Sequence, residues 1–280
     1  MKPMGNASSR ILRNGWKQVL LALFSLLCLF PLYYLLVNAF KTRAEYLTNL
    51  FGIPLRPIVE NFITVFRGKR FLLWFANSLI LTGGSVAAGL LISLVAAYAF
   101  AKMEFRFRGQ IFGFLLVLMI IPPVVMVIPL FKLMIAMGIL NTYVSVILIY
   151  TGLTIPFSIY LLTSFFRTIP SAIIDSARID GCRDLRLLAS IVVPLAAPAL
   201  ITTVLVNALW VWNELLIAVI FLQRDELKTL MVGLTIFKSR YNLDIPVTMA
   251  GLALATIPML ALYFAGQKYF IRGMVAGAVK

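Results

Sequence analysis

The chain has 280 residues, 62% of them hydrophobic and 12% charged, with a formal net charge of +15. A soluble globular domain averages about 45–50% apolar and about 25% charged residues, so this composition excludes an ordinary soluble domain and points to a membrane protein. No histidine occurs, which removes zinc-protease helices, Ser-His triads and most metal sites.

In chain order, Lys2, Arg10, Arg13 and Lys17 precede a first apolar run, Val19–Ala39. A basic segment before an apolar run also opens a signal peptide. This run is about 20 residues long, carries Pro31 and lacks a small-x-small cleavage site, so a retained span is predicted. Five further runs follow: Phe75–Phe100, Ile111–Met134, Tyr143–Phe165, Ile191–Leu222 and Val247–Ala265. Each is long enough to cross about 30 Å of hydrocarbon as a helix, and too long and uniformly apolar for a barrel strand. The fifth exceeds what one span needs and is expected to lie partly in the interface, to tilt or to break. Small residues (Gly83, Gly84, Ala87, Ala88, Gly89, Ala96, Ala97) line the second run and fit close helix–helix packing. Pro122, Pro123, Pro129, Pro156, Pro194, Pro198 and Pro258 lie within runs. Each alone is tolerated as a kink; together they suggest bent helices around a pathway.

Six spans put both termini on one side. With that side inside, it holds 14 of the Lys and Arg and the outside 11. Six of the outer ones fall in the first outer segment, some well away from span ends, so the positive-inside rule predicts cytoplasmic termini. The basic charge is thus read as topology and attraction to anionic lipid, not as a nucleic-acid footprint. Cys28 lies in the first run and Cys182 in a polar stretch, and no disulfide between them is expected.

On this topology the stretch PSAIIDSARIDGCRDLRLLASIVVPLAAP, residues 170–198, faces the cytoplasm. Thr168 or Ser171 can cap a helix with Pro170 in its first turn. Ile169, Ile173 and Ala177 recur at helical spacing and predict one apolar face, with Ala172, Ser176 and Ile179 beside it. Asp175 and Arg178 can pair on the wet side. Gly181 after Asp180 predicts a left-handed stop, and Asp184-Leu185 begins a second helix toward Pro194. A helix with so small a face fits a groove on a partner; one lying on lipid would carry larger apolar anchors and Lys-rich flanks. The chain has no G-x-x-x-x-G-K-[ST] motif, and so no P-loop of its own. Glu214 lies in or near the fifth run. There an acid either lines a polar path or is held by hydrogen bonds to Asn213, Trp212 or a partner subunit.

Asp175-Ser176-Ala177, Arg178-Ile179-Asp180, Gly181 and Val192-Val193-Pro194-Leu195 resemble the EAA loop, E-A-A-x-x-x-G-x(9)-I-x-L-P, of permease subunits in bacterial ATP-binding-cassette importers. Asp175 stands for Glu, Ser176 for the first Ala and Cys182 for a usual Ala. Trp212-Asn213-Glu214 resembles the W-N-[DE] of sugar permeases. Residues 273–280, GMVAGAVK, look like their G-x-x-x-G-A-V-K ending. Ala39-Phe40-Lys41, Asn61-Phe62 and Asn77-Ser78 also fit. Over nearly the whole chain the resemblance is to the maltose-type (MalG-like) half of carbohydrate-uptake permeases.

That resemblance implies an all-α membrane protein of about six transmembrane helices with a cytoplasmic coupling helix, the type I ABC importer permease fold. It implies an N-terminal part, residues 1–74, with the cytoplasmic segment, first transmembrane helix and first extracytoplasmic loop. The permease core, residues 75–280, holds five transmembrane helices and the EAA loop at about residues 167–190. The subunit is implied to be non-catalytic, to sit in the bacterial cytoplasmic (inner) membrane, and to carry a sugar or oligosaccharide inward. Its implied partners are a second related permease subunit, two ATPase subunits that bind ATP and Mg, an extracytoplasmic sugar-binding protein and membrane lipid. No cofactor or metal of its own and no nucleic acid is implied. Carried over residue by residue, Ile173, Asp175, Ser176, Ala177, Asp180 and Gly181 couple to the ATPase. Gly273, Gly277 and Lys280 belong to a tail that contacts it. Trp212, Asn213 and Glu214 either line the path or pack. The alternative is an ion-driven secondary transporter, which expects several intramembrane acids or an inverted repeat; the runs hold one acid and no convincing repeat. An intramembrane enzyme lacks a histidine and a buried Asp or Cys pair to work with.

Overall fold

The structure, a computed structural model, describes the backbone of residues 7–67, 70–240 and 244–278, and the side chains of residues 15–67, 70–235 and 244–268. No strand occurs among the described residues. The helices are α1 (Ala7–Ala39), α2 (Arg43–Thr48), α3 (Glu60–Arg67), α4 (Phe71–Lys102), α5 (Arg108–Leu118), α6 (Pro123–Ala136) and α7 (Tyr143–Thr168). There follow α8 (Ser171–Ile179), α9 (Asp184–Leu187), a wide turn of π-helix (Leu188–Val192), α10 (Val193–Leu195), α11 (Ala197–Asn213), α12 (Leu216–Phe221), α13 (Leu230–Arg240) and α14 (Ile245–Ala278).

Among the described residues, four helical segments are long and apolar enough to cross a membrane: Gly15–Ala39 of α1, α4, α7 and Ile245–Lys268 of α14. Two bent pairs complete the count of up to six. The third apolar run is not one helix but α5 and α6, bent by 99°. Pro122 takes an extended ψ of 134° at the head of α6, since the residue before a proline avoids the helical region, and the two adjacent prolines have no N–H to continue α5. The fifth run breaks too: Asp184–Leu195 meets α11 at 82°. Pro194 lacks the N–H that a regular turn would use, and the wide turn precedes it. Ala196 leaves the helical region with φ −91° and ψ 9°. Pro198 then sits in the first turn of α11, where a missing N–H costs nothing.

By packing, the chain divides into two units: Met1–Gly68 with Phe237–Leu254, and Lys69–Ile236 with Ala255–Lys280. In the first, Asn61 helps to close the loop after α1. Asn61 Nδ2 donates to both Ala39 O and Lys41 O at 2.8 Å, and the Phe40 and Phe62 rings lie 5.0 Å apart. The buried Lys41 Nζ donates to Asn49 O at 2.5 Å, and burial pulls its pKa below the usual lysine value.

In the second unit α4 and α7 pack side by side in the same direction. Asn77 meets Tyr143, Ser85 meets Thr151, and Gly89 meets Thr154. A Cβ on Gly84 would lie 3.1 Å from Ile147 Cδ1, and one on Gly89 3.0 Å from Thr154 Oγ1, so the small residues of α4 set how closely the helices approach. Asn207 of α11 joins them by donating to Ser158 Oγ at 2.7 Å. Among the described residues, two apolar clusters lie in this unit. One includes Tyr98, Leu162, Phe166, Leu187 and Val192; the other includes Leu81, Ile149, Tyr150, Val211 and Phe221.

Candidate functional site

The polar stretch forms α8, a helix of nine residues anchored from one side. Ile174, 2% exposed, and Ala177, 7% exposed, join Ile169, Tyr98, Phe166 and Leu187 in the first cluster. Ile173 and Ile179 face away, 40% and 86% exposed, together with Ala172, Asp175, Ser176 and Asp180. The apolar stripe expected at Ile169, Ile173 and Ala177 is therefore displaced, with Ile174 in the inward place of Ile173. The reason lies at the helix start. Ile169 (ψ 124°) and Pro170 (ψ 134°) are extended, so Ile169 does not share the phase of α8, which begins at Ser171. Within that phase Ile174 and Ala177 stand three apart on one face.

Neither hydroxyl expected to cap α8 does so. Thr168 Oγ1 turns back to donate to Phe165 O at 2.7 Å, Pro170 holds the cap position without a side-chain bond, and Ser171 is the first helical residue. The other end closes as the sequence predicts. Gly181 has φ +81°; its N–H donates to Arg178 O and that of Cys182 to Ala177 O, both at 3.0 Å. These paired bonds, with Cys182 and Ala177 in one apolar cluster, form a Schellman stop. Nothing lies within 4 Å of a Cβ built on Gly181, so the demand for glycine there is conformational, not spatial.

Arg178 does not pair with Asp175. Its Nη2 meets Asp184 Oδ1 at 3.2 Å across the glycine turn, because the turn folds the start of α9 back toward the end of α8. That bond raises the Arg178 pKa above its usual value. Both side chains are nearly half exposed, so the pair contributes about 0–1 kcal/mol. The same carboxylate oxygen accepts from Tyr98 OH at 3.0 Å. On the other flank of α8, Lys102 Nζ donates to Ile169 O at 2.6 Å. Tyr98 and Lys102 are not singled out by the sequence, and Asp184 is singled out only as the start of a helix. Their partners lie 86 and 67 positions away, and no local spacing records such a contact.

The Trp212-Asn213-Glu214 triplet ends α11. Trp212 is buried; its Nε1 donates to Ala255 O of α14 at 3.1 Å, and its ring meets Phe75 edge-on at 5.7 Å. Glu214 spans the break between α11 and α12. Its carboxylate accepts from Tyr150 OH at 2.7 Å, from Ile217 N–H at 3.0 Å and from Ala218 N–H at 3.2 Å, satisfying two backbone donors that the start of a helix leaves open. Asn213 is exposed and its Nδ2 donates back to Leu209 O at 2.7 Å. A groove of about 450 Å³ runs between α4, α11 and α14, lined by Leu79, Gly83, Val86, Val204, Trp212 and Met259 among others. Its lining is almost wholly apolar and lacks the convergent polar groups that fix a hydrophilic ligand.

Gly273 and Gly277 lie in the last turns of α14, whose backbone alone is described there; their surroundings, and Lys280 altogether, lie outside the described residues. No group of three or more His, Cys, Asp or Glu that could hold a metal occurs among the described residues.

The family described as "Binding-protein-dependent transport system inner membrane component" matches residues 89–275. A putative ABC transporter permease protein of Caldicellulosiruptor sp. (strain Rt8B.4) is 38% identical over 266 residues, covering 95% of this chain and 96% of the relative. The trehalose/maltose transport system permease protein MalG of Thermococcus litoralis is 32% identical over 265 residues, covering 92% of this chain and 94% of that one. Among solved structures, a chain of a bacterial ABC transporter involved in import of the acidic polysaccharide alginate superposes with a TM-score of 0.83 at 27% identity, covering 96% of this chain and 100% of the other.

Proposed function

This chain belongs to the family of inner-membrane components of binding-protein-dependent transport systems, and from that premise we propose that it is the permease subunit of an ATP-binding-cassette importer that moves a sugar or oligosaccharide into the cell. The substrate class is supported by its relatives, one named for trehalose and maltose and one solved transporter involved in alginate import. The observation that carries the coupling role is α8. It is held by Ile174 and Ala177 on one side, stopped by Gly181, and free on the other side over Ala172, Ile173, Asp175, Ser176 and Asp180. That free face docks in a groove of a separate ATPase. Ala177 acts from behind as an anchor, and Gly181 fixes the angle at which the face is presented.

Two ATPase subunits bind ATP and Mg and hydrolyse the nucleotide; this chain contributes no catalytic residue. A second, related permease completes the pathway, and a binding protein delivers the sugar from outside. Both termini lie in the cytoplasm of a bacterial cell, by the excess of positive charge on that side. The tail through Gly273, Gly277 and Lys280 reaches the ATPase interface. Residues 1–74 form the cytoplasmic segment, the first transmembrane helix and the first extracytoplasmic loop, and residues 75–280 the permease core. In the triplet, Trp212 and Glu214 hold the wall of the pathway while Asn213 faces it.

The test is the energy source. In cells or proteoliposomes, uptake survives collapse of the proton gradient and stops on ATP depletion. The opposite pattern would establish the ion-driven alternative.

A further inference from the structure

We propose that α4 is a strut that links α8 to the loop of residues 222–230 at its opposite end, and that Tyr98 and Lys102 are the positioning residues that fasten α8 to it. This rests on the reading of α8 as the ATPase-docking helix.

At one end of α4, two side chains hold the chain on either flank of α8. Lys102 Nζ donates to Ile169 O, just before the helix, at 2.6 Å. Tyr98 OH donates to Asp184 Oδ1, just after it, at 3.0 Å. At the other end, three side chains grip the backbone of the far loop. Trp74 Nε1 donates to Asp225 O at 3.0 Å. The buried Asn77 donates through Nδ2 to Glu226 O at 2.7 Å and Lys228 O at 2.9 Å. Ser78 Oγ accepts from Leu230 N–H at 2.9 Å. Arg70 and Lys228 both bind the Asp225 carboxylate, and Tyr143 of α7 locks Asn77 by donating to its Oδ1 at 2.7 Å.

Between these grips α4 runs unbroken for 32 residues. Each of the other three long helices carries an internal proline: Pro31 in α1, Pro156 in α7 and Pro258 in α14. α4 has none, and its Gly83-Gly84-Ser85 stretch, the other usual site of a kink, is braced by α7, with Ile147 against Gly84 and Thr151 donating to Ser85 O at 3.3 Å. From Asn77 to Tyr98 the helix rises by about 30 Å at about 1.5 Å per residue, the thickness of the bilayer hydrocarbon. A rigid element held at both ends obliges those ends to move together, which gives the coupling a physical carrier. A displacement of α8 by the ATPase is passed through Tyr98 and Lys102 to α4, and through Asn77, Trp74 and Ser78 to the loop on the far side.

The experiment reads that far loop. Glu226, exposed, is changed to Cys in a Cys28→Ser, Cys182→Ala background. The rate of its labelling by a membrane-impermeant maleimide is measured in the complex with the subunits that co-purify with this chain, without nucleotide and with Mg-ATP plus vanadate. The expected result is a several-fold change in labelling rate on trapping, lost in Tyr98→Phe/Lys102→Met and kept in Lys102→Arg, with the ATPase still attached in all three. A parent complex whose labelling ignores the nucleotide overturns the strut. A double variant that keeps the full response overturns the role of Tyr98 and Lys102. A double variant that sheds the ATPase overturns it too, since the pair would then build the docking surface instead of transmitting from it. Failure of the docking reading is separate: Gly181→Pro would then leave both the attached ATPase and the labelling response unchanged.

Discussion

Substitution at Gly181 tests whether the shape of the α8 stop, and not merely its presence, matters to coupling. At φ +81° with no atom within 4 Å of the Cβ position, Gly181→Ala meets no clash. It pays only for the left-handed backbone, about 1–2 kcal/mol. Gly181→Pro goes further. Its ring fixes φ near −65°, out of reach of the observed turn, and removes a donor, together about 3 kcal/mol or more. The bonds from Gly181 to Arg178 O and from Cys182 to Ala177 O, both 3.0 Å, are lost with the turn. A helix of nine residues has little independent stability, since isolated helices below about 12 residues are marginal in water. The exposed face therefore loses its fixed orientation. The assay is ATP hydrolysis by the reconstituted complex with and without its binding protein, alongside the yield of inserted protein. Both variants insert; stimulation falls in Gly181→Ala and disappears in Gly181→Pro. Full stimulation in Gly181→Pro would refute the assignment of α8 as the contact between ATP and transport.

The two faces of α8 are expected to fail differently. Ile174→Asp removes burial worth about 2–3 kcal/mol and lowers the melting temperature of the detergent-solubilised chain, whereas Ala172→Arg leaves that temperature unchanged and releases the ATPase on co-purification. Equal effects on melting would contradict the one-sided anchoring. Tyr150→Phe costs about 1 kcal/mol, because Glu214 keeps its backbone donors, and Glu214→Ala costs more; thermal unfolding ranks them, and the reverse order would show that the carboxylate does not hold the start of α12. Lys228, then Arg70, hold the Asp225 pKa below the usual carboxylate value. A pKa lowered on folding stabilises above the unfolded value and loses that effect as pH falls through the folded one. Asp225→Asn is therefore less stable than the parent at neutral pH, and the gap closes below the ordinary carboxylate range; a gap independent of pH would exclude the ion cluster as its cause. Deleting residues 273–280 weakens association with the ATPase, and normal co-purification with normal uptake would remove the tail from the interface.

What the sequence discloses about this fold follows the range of the interactions. The apolar runs are legible because the ability to cross hydrocarbon is a property of each run's own composition. The breaks are legible only as possibilities. Pro122-Pro123 marks one, but two prolines do not specify a bend of 99°; the other falls at Ala196, between two prolines, and no single residue announces it. The stop of α8 is legible because glycine in a left-handed turn is a local requirement. Its start is not, because helical phase depends on the first helical residue, and Ile169-Pro170 look in sequence like part of the same periodic pattern. The grip of Tyr98 on the Asp184 carboxylate and those of Lys102 and Asn77 on distant backbone oxygens obey no period that a single chain displays.

The corrected phase of α8 alters which substitutions can speak about docking. Ile174 and Ala177 are committed to the chain's own core, so the helix cannot roll to offer another side. A charged residue at position 177 would bury a charge at a site 7% exposed, and the loss of coupling would follow from an unanchored helix whether or not the ATPase touches it. Only the exposed positions discriminate. The same reasoning bears on Glu214. Its carboxylate already accepts from Tyr150 and two backbone N–H groups, so a sugar hydroxyl arriving there would compete with the bonds that join α11 to α12. Asn213, exposed and bonded only to its own helix among the contacts described, can turn toward a sugar at far smaller structural cost. A pathway role for the triplet is thus better sought in Asn213→Ala than in Glu214→Ala: loss of uptake at unchanged melting temperature in the former would place the side chain in the path, and unchanged uptake would remove it.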